Sequence, residues 1–161
     1  MSGAPATDAD RASACVVDVY HDADLGRLLE IERASFGSPW SRTSFEREQE
    51  LAFSQLLVAR LAPGEAAAGY ICRWLVADEI QILNVAVAPE VRRRGVARAL
   101  VGRVIAEAKA VEIAVSLEVE ISNEAAIALY GAFGFSAQGR RRNFYGLGRH
   151  ALVMTLSCAD A

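Results

Sequence analysis

Hydrophobic and polar positions along this chain follow two periods, and each change of period marks an element. Residues 15–20, CVVDVY, form a short β-branched run that predicts a strand. From His21 and Asp22 the period lengthens. Leu25, Leu28, Leu29 and Glu32 fall at helical spacing and predict a helix ending near Phe36 and Gly37. GSPWS reads as a turn, with Ser41 as N-cap of a short polar helix from Arg42 to Glu50. FSQLLVARL, AAGYICRWLV and EIQILNVAVA then read as three strands, apolar on both faces towards their centres as interior strands are, with APGE a hairpin turn after the first.

After Gly95 the helical period returns in its clearest form. Ala97, Leu100, Val101, Val104, Ile105 and Ala108 make one apolar stripe. IAVSLEVE alternates: Val115, Leu117 and Val119 share one face, and Ser116, Glu118 and Glu120 the other. SNEAAIALYGAFGF predicts a short helix capped by Ser122 or Asn123, with Glu124 in its first turn and Gly134 as its stop. Two further strands fall near Phe135–Arg141 and Ala151–Leu156. The order β-α-α-β-β-β-α-β-α-β-β is an α/β mixture, with antiparallel hairpins early and a strand–helix–strand crossover in the middle. Neither repeats nor linkers interrupt it.

A chain of 161 residues suits one domain with a core that needs neither disulfide nor metal. The expected layout is a disordered tail over 1–14, a single domain over 15–157 and a short tail over 158–161. MSGAPATDADRASA lacks the basic and apolar regions of a secretory signal, and the chain contains no apolar run of membrane-spanning length. Cys15, Cys72 and Cys158 are odd in number and far apart in sequence, which suggests reduced thiols, no zinc motif and a cytoplasmic protein. His21 and His150 have no partner at metal or triad spacing and read as surface residues, so no metal is expected. The 17 basic and 20 acidic residues, net −3, argue against direct nucleic-acid binding while leaving room for one local anion pocket.

NVAVAPEVRRRGVARALV is where such a pocket would form. A helix start leaves backbone N–H groups unpaired and adds partial positive charge, and a glycine there lets a ligand approach the backbone. Arg92, Arg93, Arg94 and Arg98 add full charges with forked donor geometry. The combination suits a diphosphate. The competing reading is a solvated basic turn, and neither the dinucleotide nor the P-loop glycine pattern is present.

Arg92, Gly95 and Ala97 after LNVAVAP resemble the acetyl-CoA signature of the GCN5-related N-acetyltransferases (GNAT). SPWSRTSF, LEVEISNEAAIALYGAFGF and RRNFY extend the likeness to the RimI-type branch, over roughly residues 15–157. Members of that branch acetylate the N-terminal alanine of a small-subunit ribosomal protein. The resemblance implies a mixed, mostly antiparallel sheet of about seven strands with a splayed parallel pair, and about four flanking helices. It implies that Val85, Ala86 and Val87 pair with the pantetheine arm of acetyl-CoA. By the same likeness, the diphosphate loop falls on Arg93, Arg94, Gly95, Val96, Ala97 and Arg98, and an asparagine that holds the arm on Asn123. Glu118 matches the general base, Tyr130 the general acid and Tyr145 a peptide-contacting tyrosine. The departure lies in GLGRHALVM, where the family's longer loop carries an acidic pair and this chain has Arg149 and His150. Peptide preference therefore stays open.

The residue types suit acetyl transfer to an amine. At pH 7.4 the neutral form costs about 0.5–1 kcal/mol for an α-amine and about 4 for a lysine, at 1.36 per pKa unit. A carboxylate acting directly or through water is enough for the first case. On residue type alone, Glu118 is either that base or a solvent-facing glutamate. Tyr130 is either a proton donor or a core aromatic beside Ile127 and Phe133. Trp40 is a packing anchor or part of the substrate cleft. Arg140, Arg141 and Arg142 read as a solvated strand end, with a surface for a ribosomal protein or its RNA as a further reading. The competing functions are acetylation of a lysine or small-molecule amine, and a non-catalytic acetyl-CoA-binding module.

Overall fold

The computed structural model describes residues 15–158. The expected tail over 1–14, and residues 159–161, lie outside the described residues. The elements in chain order are β1 (Val16–Val19), α1 (Leu25–Ser35), α2 (Arg42–Glu50), β2 (Ser54–Arg60), β3 (Gly69–Val76), β4 (Glu79–Val87), α3 (Val96–Ala110), β5 (Ala114–Glu120), α4 (Glu124–Ala132), β6 (Ser136–Gly146) and β7 (Arg149–Leu156). Short 3-10 turns, Asp22–Asp24 and Pro89–Val91, precede α1 and α3. The strands form one mixed seven-stranded sheet in the order β1-β2-β3-β4-β5-β7-β6, with β4 and β5 parallel. This is the α/β architecture that the pattern of periods and the family likeness implied. The chain divides into two compact units: within the described residues, 15–72 with 84–103, and 73–83 with 104–158.

In the first unit the core gathers Leu28, Ile31, Phe45, Leu56, Val58, Tyr70, Ile71 and Leu100, all at most 1% exposed. α2 is polar except for Phe45, so that one ring fixes the helix, at roughly 1.5–3 kcal/mol for a fully buried side chain. Ser41 caps α2 as expected: its backbone is extended and its Oγ accepts the Ser44 N–H at 3.2 Å. Arg60 is buried and donates to both carboxylate oxygens of Asp24 at 2.8 and 2.9 Å and to Asp18 at 3.3 Å. Burial works against the Asp24 carboxylate, but the Arg60 guanidinium and the His21 N–H outweigh it and hold Asp24 below the usual carboxylate range. A methyl group on Gly69 of β3 would sit 2.8 Å from the Ala86 carbonyl oxygen and 3.0 Å from Val96 Cγ1. The missing side chain is what lets β4 and the start of α3 close down on β3.

In the second unit β5 pairs with β4 from Glu79↔Ala114 to Ile82↔Leu117, where the register stops. On its other edge β5 pairs antiparallel with β7 from Val115↔Leu156 to Glu120↔Ala151. Val115, Leu117 and Val119 are buried and Glu118 is exposed, so the predicted alternation holds. Asn123, not Ser122, caps α4, with Oδ1 accepting the Ala126 N–H at 3.2 Å. Gly134 stops the helix region at φ 99°, a left-handed conformation that glycine adopts freely.

The structure corrects two expectations here. The penultimate strand does not end at Arg141: β6 continues to Gly146 through a register shift between Arg141 and Gly146, with Asn143 left-handed at φ 55°. Asn143 anchors the extension, since its Oδ1 accepts the Gly148 N–H at 2.8 Å. His150 is half-buried instead of lying on the surface, because its Nδ1 accepts the Asn143 N–H at 3.0 Å inside that irregularity.

Candidate functional site

The turn before α3 has the geometry of an anion cradle. Arg93 and Gly95 are left-handed at φ 63° and 80°, and the first bond of the helix runs from the Ala99 N–H to the Gly95 carbonyl at 3.0 Å. The N–H groups of Val96, Ala97 and Arg98 therefore precede the first helical bond and point out of the helix start. Arg93 and Arg94 are exposed and have no carboxylate partner among the described residues. Glu90, the nearest acidic residue in the chain, is tied up by Arg27.

Arg92 is placed differently from its neighbours. Its Nε donates to the Val87 carbonyl and its Nη2 to Ser35 Oγ, both at 3.3 Å. It braces the turn against the end of β4 and the last turn of α1. Val85, Ala86 and Val87 end β4, beyond the point where its register with β5 stops; Ala86 is buried and the two valines half-buried. The donors here, backbone N–H groups and uncommitted guanidinium groups, are of the kind a coenzyme A diphosphate requires.

The second unit holds the remaining site residues. Arg141 donates to Glu118 Oε1 at 2.6 Å and lies over the Phe144 ring, its Cζ 4.4 Å from the centroid. Tyr145 donates its hydroxyl to the Glu118 carbonyl at 3.0 Å, and Arg149 grips Glu120 through two bonds of 2.8 and 3.0 Å. Glu118 is thus fixed at both its side chain and its backbone by the β6–β7 hairpin. The Arg149 guanidinium holds the Glu120 carboxyl below the usual range. Burial, with the charges of Glu118 and Glu120, pushes Tyr145 up to about 12.

Tyr130 has its ring in the core and its hydroxyl at the surface. Its ring is buried edge-on against Phe135, with centroids 5.7 Å apart. Burial, then the Tyr145 hydroxyl, push its pKa up to about 12. Its hydroxyl bonds no described residue, yet no buried polar side-chain atom among the described residues lacks a partner, so the oxygen reaches solvent. Asn123 spends Oδ1 on the α4 cap and keeps Nδ2 without a partner among the described residues.

The half-buried Trp40 ring meets Phe45 edge-on at 5.3 Å, and Phe45 meets Tyr70 at 5.3 Å. The backbone N–H of Trp40 donates to Glu32 Oε1 at 3.0 Å. Glu32 is a residue that sequence reasoning missed. It is 1% exposed and accepts from the Tyr70 hydroxyl as well as from Asn84 Nδ2, at 3.1 and 3.2 Å. The signal was a carboxylate standing in the apolar stripe of Leu25, Leu28 and Leu29.

With this geometry in place, the comparisons with known proteins give the class. The model of the acetyltransferase (GNAT) family matches residues 25–135, and the chain belongs to that family. It is an acetyl-CoA-dependent N-acetyltransferase. The chain is 36% identical over 123 residues, 76% of its length and 81% of the other's, to the [ribosomal protein bS18]-alanine N-acetyltransferase of Escherichia coli K12. Its Salmonella typhimurium counterpart is 33% identical over 130 residues, 80% of this chain and 86% of that one. The crystal structure of the ribosomal-protein-S18-alanine N-acetyltransferase from Escherichia coli superposes with a TM-score of 0.81 at 30% identity, covering 91% of this chain and 96% of that one. None of the helices among the described residues is long and apolar enough to cross a membrane.

Proposed function

We propose that this enzyme transfers the acetyl group of acetyl-CoA to the α-amine of a protein N-terminus, with the alanine terminus of ribosomal protein bS18 the leading substrate. The observation that carries the reading is the likeness to enzymes named for that reaction, at 36% identity across most of both chains. The cytoplasm is the corresponding location, and the three free cysteines fit a reducing compartment.

The diphosphate rests on the N–H groups at the start of α3 and on Arg93, Arg94 and Arg98. Val85, Ala86 and Val87 offer the backbone edge along which the pantetheine arm lies, and Asn123 Nδ2 is a further donor to it. Glu118 takes the proton of the attacking amine, directly or through a water. Tyr130 keeps its own proton at any neutral pH. Transferring that proton fully from a pKa of about 12 to a thiolate of about 8.5 is uphill by roughly 5 kcal/mol. Tyr130 therefore steadies the departing sulfur chiefly as a hydrogen-bond donor.

One observation favours a second reading. The β6–β7 turn is short, only Leu147 and Gly148, and β7 opens on Arg149 and His150, which suits an acceptor other than the family's usual peptide. The test is thiol release from acetyl-CoA with a peptide beginning Ala-Arg, against a lysine peptide with a blocked terminus. Turnover confined to the free terminus supports the first reading. Turnover confined to the lysine supports the second, and acetyl-CoA binding without turnover of any amine rejects both.

A further inference from the structure

Glu32, Tyr70 and Asn84 form a polar cluster that none of the roles above requires. Asn84 precedes Val85 on β4 and is half-buried. Its Nδ2 donates to both oxygens of Glu32, at 3.1 and 3.2 Å, and to the Tyr70 hydroxyl at 2.7 Å. The Tyr70 hydroxyl donates its own proton to Glu32. Burial and the Glu32 charge raise Tyr70 well above the ordinary tyrosine value, so that proton stays in place. Every neighbour on the Nδ2 side is thus an acceptor. Turning the amide over would set oxygen against oxygen, and the cluster admits one orientation only.

That orientation leaves Oδ1 facing away from the cluster, with no partner among the described residues. Since no buried polar side-chain atom among them is unpaired, Oδ1 is open to solvent. A buried carboxylate without a cation is costly, and here it holds a neutral amide in one pose.

We propose that Asn84 Oδ1 accepts an N–H from the amine to be acetylated, and that Glu32 is the positioning residue that turns it outward. This rests on the acetyl-transfer reading above. An arm that starts at the α3 turn and runs back along Val87, Ala86 and Val85 reaches Asn84 next, about 10 Å along the strand, so Asn84 stands at its thioester end. The thioester carbonyl needs donors and gains nothing from Oδ1. The amine brings N–H donors in either charge state and needs an acceptor.

The experiment compares wild type, Asn84→Ser, Glu32→Gln and the double variant. It reads kcat/KM for the Ala-Arg peptide at saturating acetyl-CoA, and the acetyl-CoA Kd by calorimetry. Asn84→Ser keeps a hydroxyl donor on Glu32 and removes the outward carbonyl. Glu32→Gln presents an amide that lets Asn84 turn over. Each should lower kcat/KM about 10- to 100-fold, mainly through KM, with acetyl-CoA Kd within about twofold. The double variant should fall no further than Asn84→Ser, because Glu32 acts through Asn84. An Asn84→Ser enzyme within about twofold of wild type overturns the proposal, and losses that multiply in the double variant overturn the positioning role. Should Glu32→Gln fail to fold, Asn84→Ser decides alone. Wild-type protein that binds acetyl-CoA but acetylates no amine overturns the acetyl-transfer reading itself, and this proposal with it.

Discussion

VRRRGVAR and GRRRNFY carry the same arginine triplet in different surroundings. In the turn before α3, left-handed Arg93 and Gly95 gather backbone N–H groups on one side, and Glu90 is drawn off by Arg27. Arg93 and Arg94 are left without a carboxylate among the described residues. On β6 the middle arginine of the triplet is taken by a carboxylate, Arg141 by Glu118, and nearby Arg149 is held by Glu120. Arg140 and Arg142 have no carboxylate partner among the described residues, but they stand on a paired strand with no helix start beside them. Positive charge is common to both regions. What separates them is the set of backbone donors at the helix start, and the anion site proposed above falls on that first region.

The largest effect expected on this contrast is on turnover. Glu118→Gln should lower kcat/KM about 10²- to 10⁴-fold, the range for a lost general base. Calorimetry should find its acetyl-CoA Kd unchanged; weakened cofactor binding would mean that the hairpin side also holds the cofactor. Next, Gly95→Val forces a branched side chain into a left-handed backbone and crowds the amides. Its acetyl-CoA Kd should rise about 100-fold, and a Kd within threefold of wild type would remove the turn from the binding role. The double change Arg93→Ala with Arg94→Ala should weaken binding by about tenfold, less as salt is raised, since two solvated charges are screened. Equal weakening at low and high salt would assign the loss to the backbone.

The smallest effect is on stability. Glu120 has its folded pKa depressed by Arg149, so the pair adds stability above the ordinary carboxylate pKa and loses it as pH falls through the depressed value. Arg149→Met should lower Tm slightly at pH 7, and the gap from wild type should close as pH drops below about 4. A gap that persists at pH 3 would mean the side chain acts through packing.

How much of this was legible in the chain depended on range. Ser41, the α3 stripe and the alternation through Glu118 are local facts of spacing, and each stands where its period placed it. Glu32 was visible as a carboxylate in an apolar stripe, but its partners lie 38 and 52 residues away, and no period links them. The extension of β6 was hidden because left-handed Asn143 looks in sequence like the end of the strand, and the bond from its N–H to His150 seven residues on is not visible in local spacing. Tyr130 resisted a choice because its ring is buried while its hydroxyl reaches solvent, a division within one side chain that spacing does not reveal.

β6 is an outermost strand, exposed along all eleven residues. A bare strand of that length is a template on which other copies could line up and polymerise. Arg140 and Arg142, which flank the paired Arg141, guard it, because two copies meeting rim to rim would bring these charges together. Concentrated salt shortens the reach of that repulsion to a few ångströms. Concentrated brine should therefore weaken that guard, and light scattering at low and at high salt is the measurement that reads it.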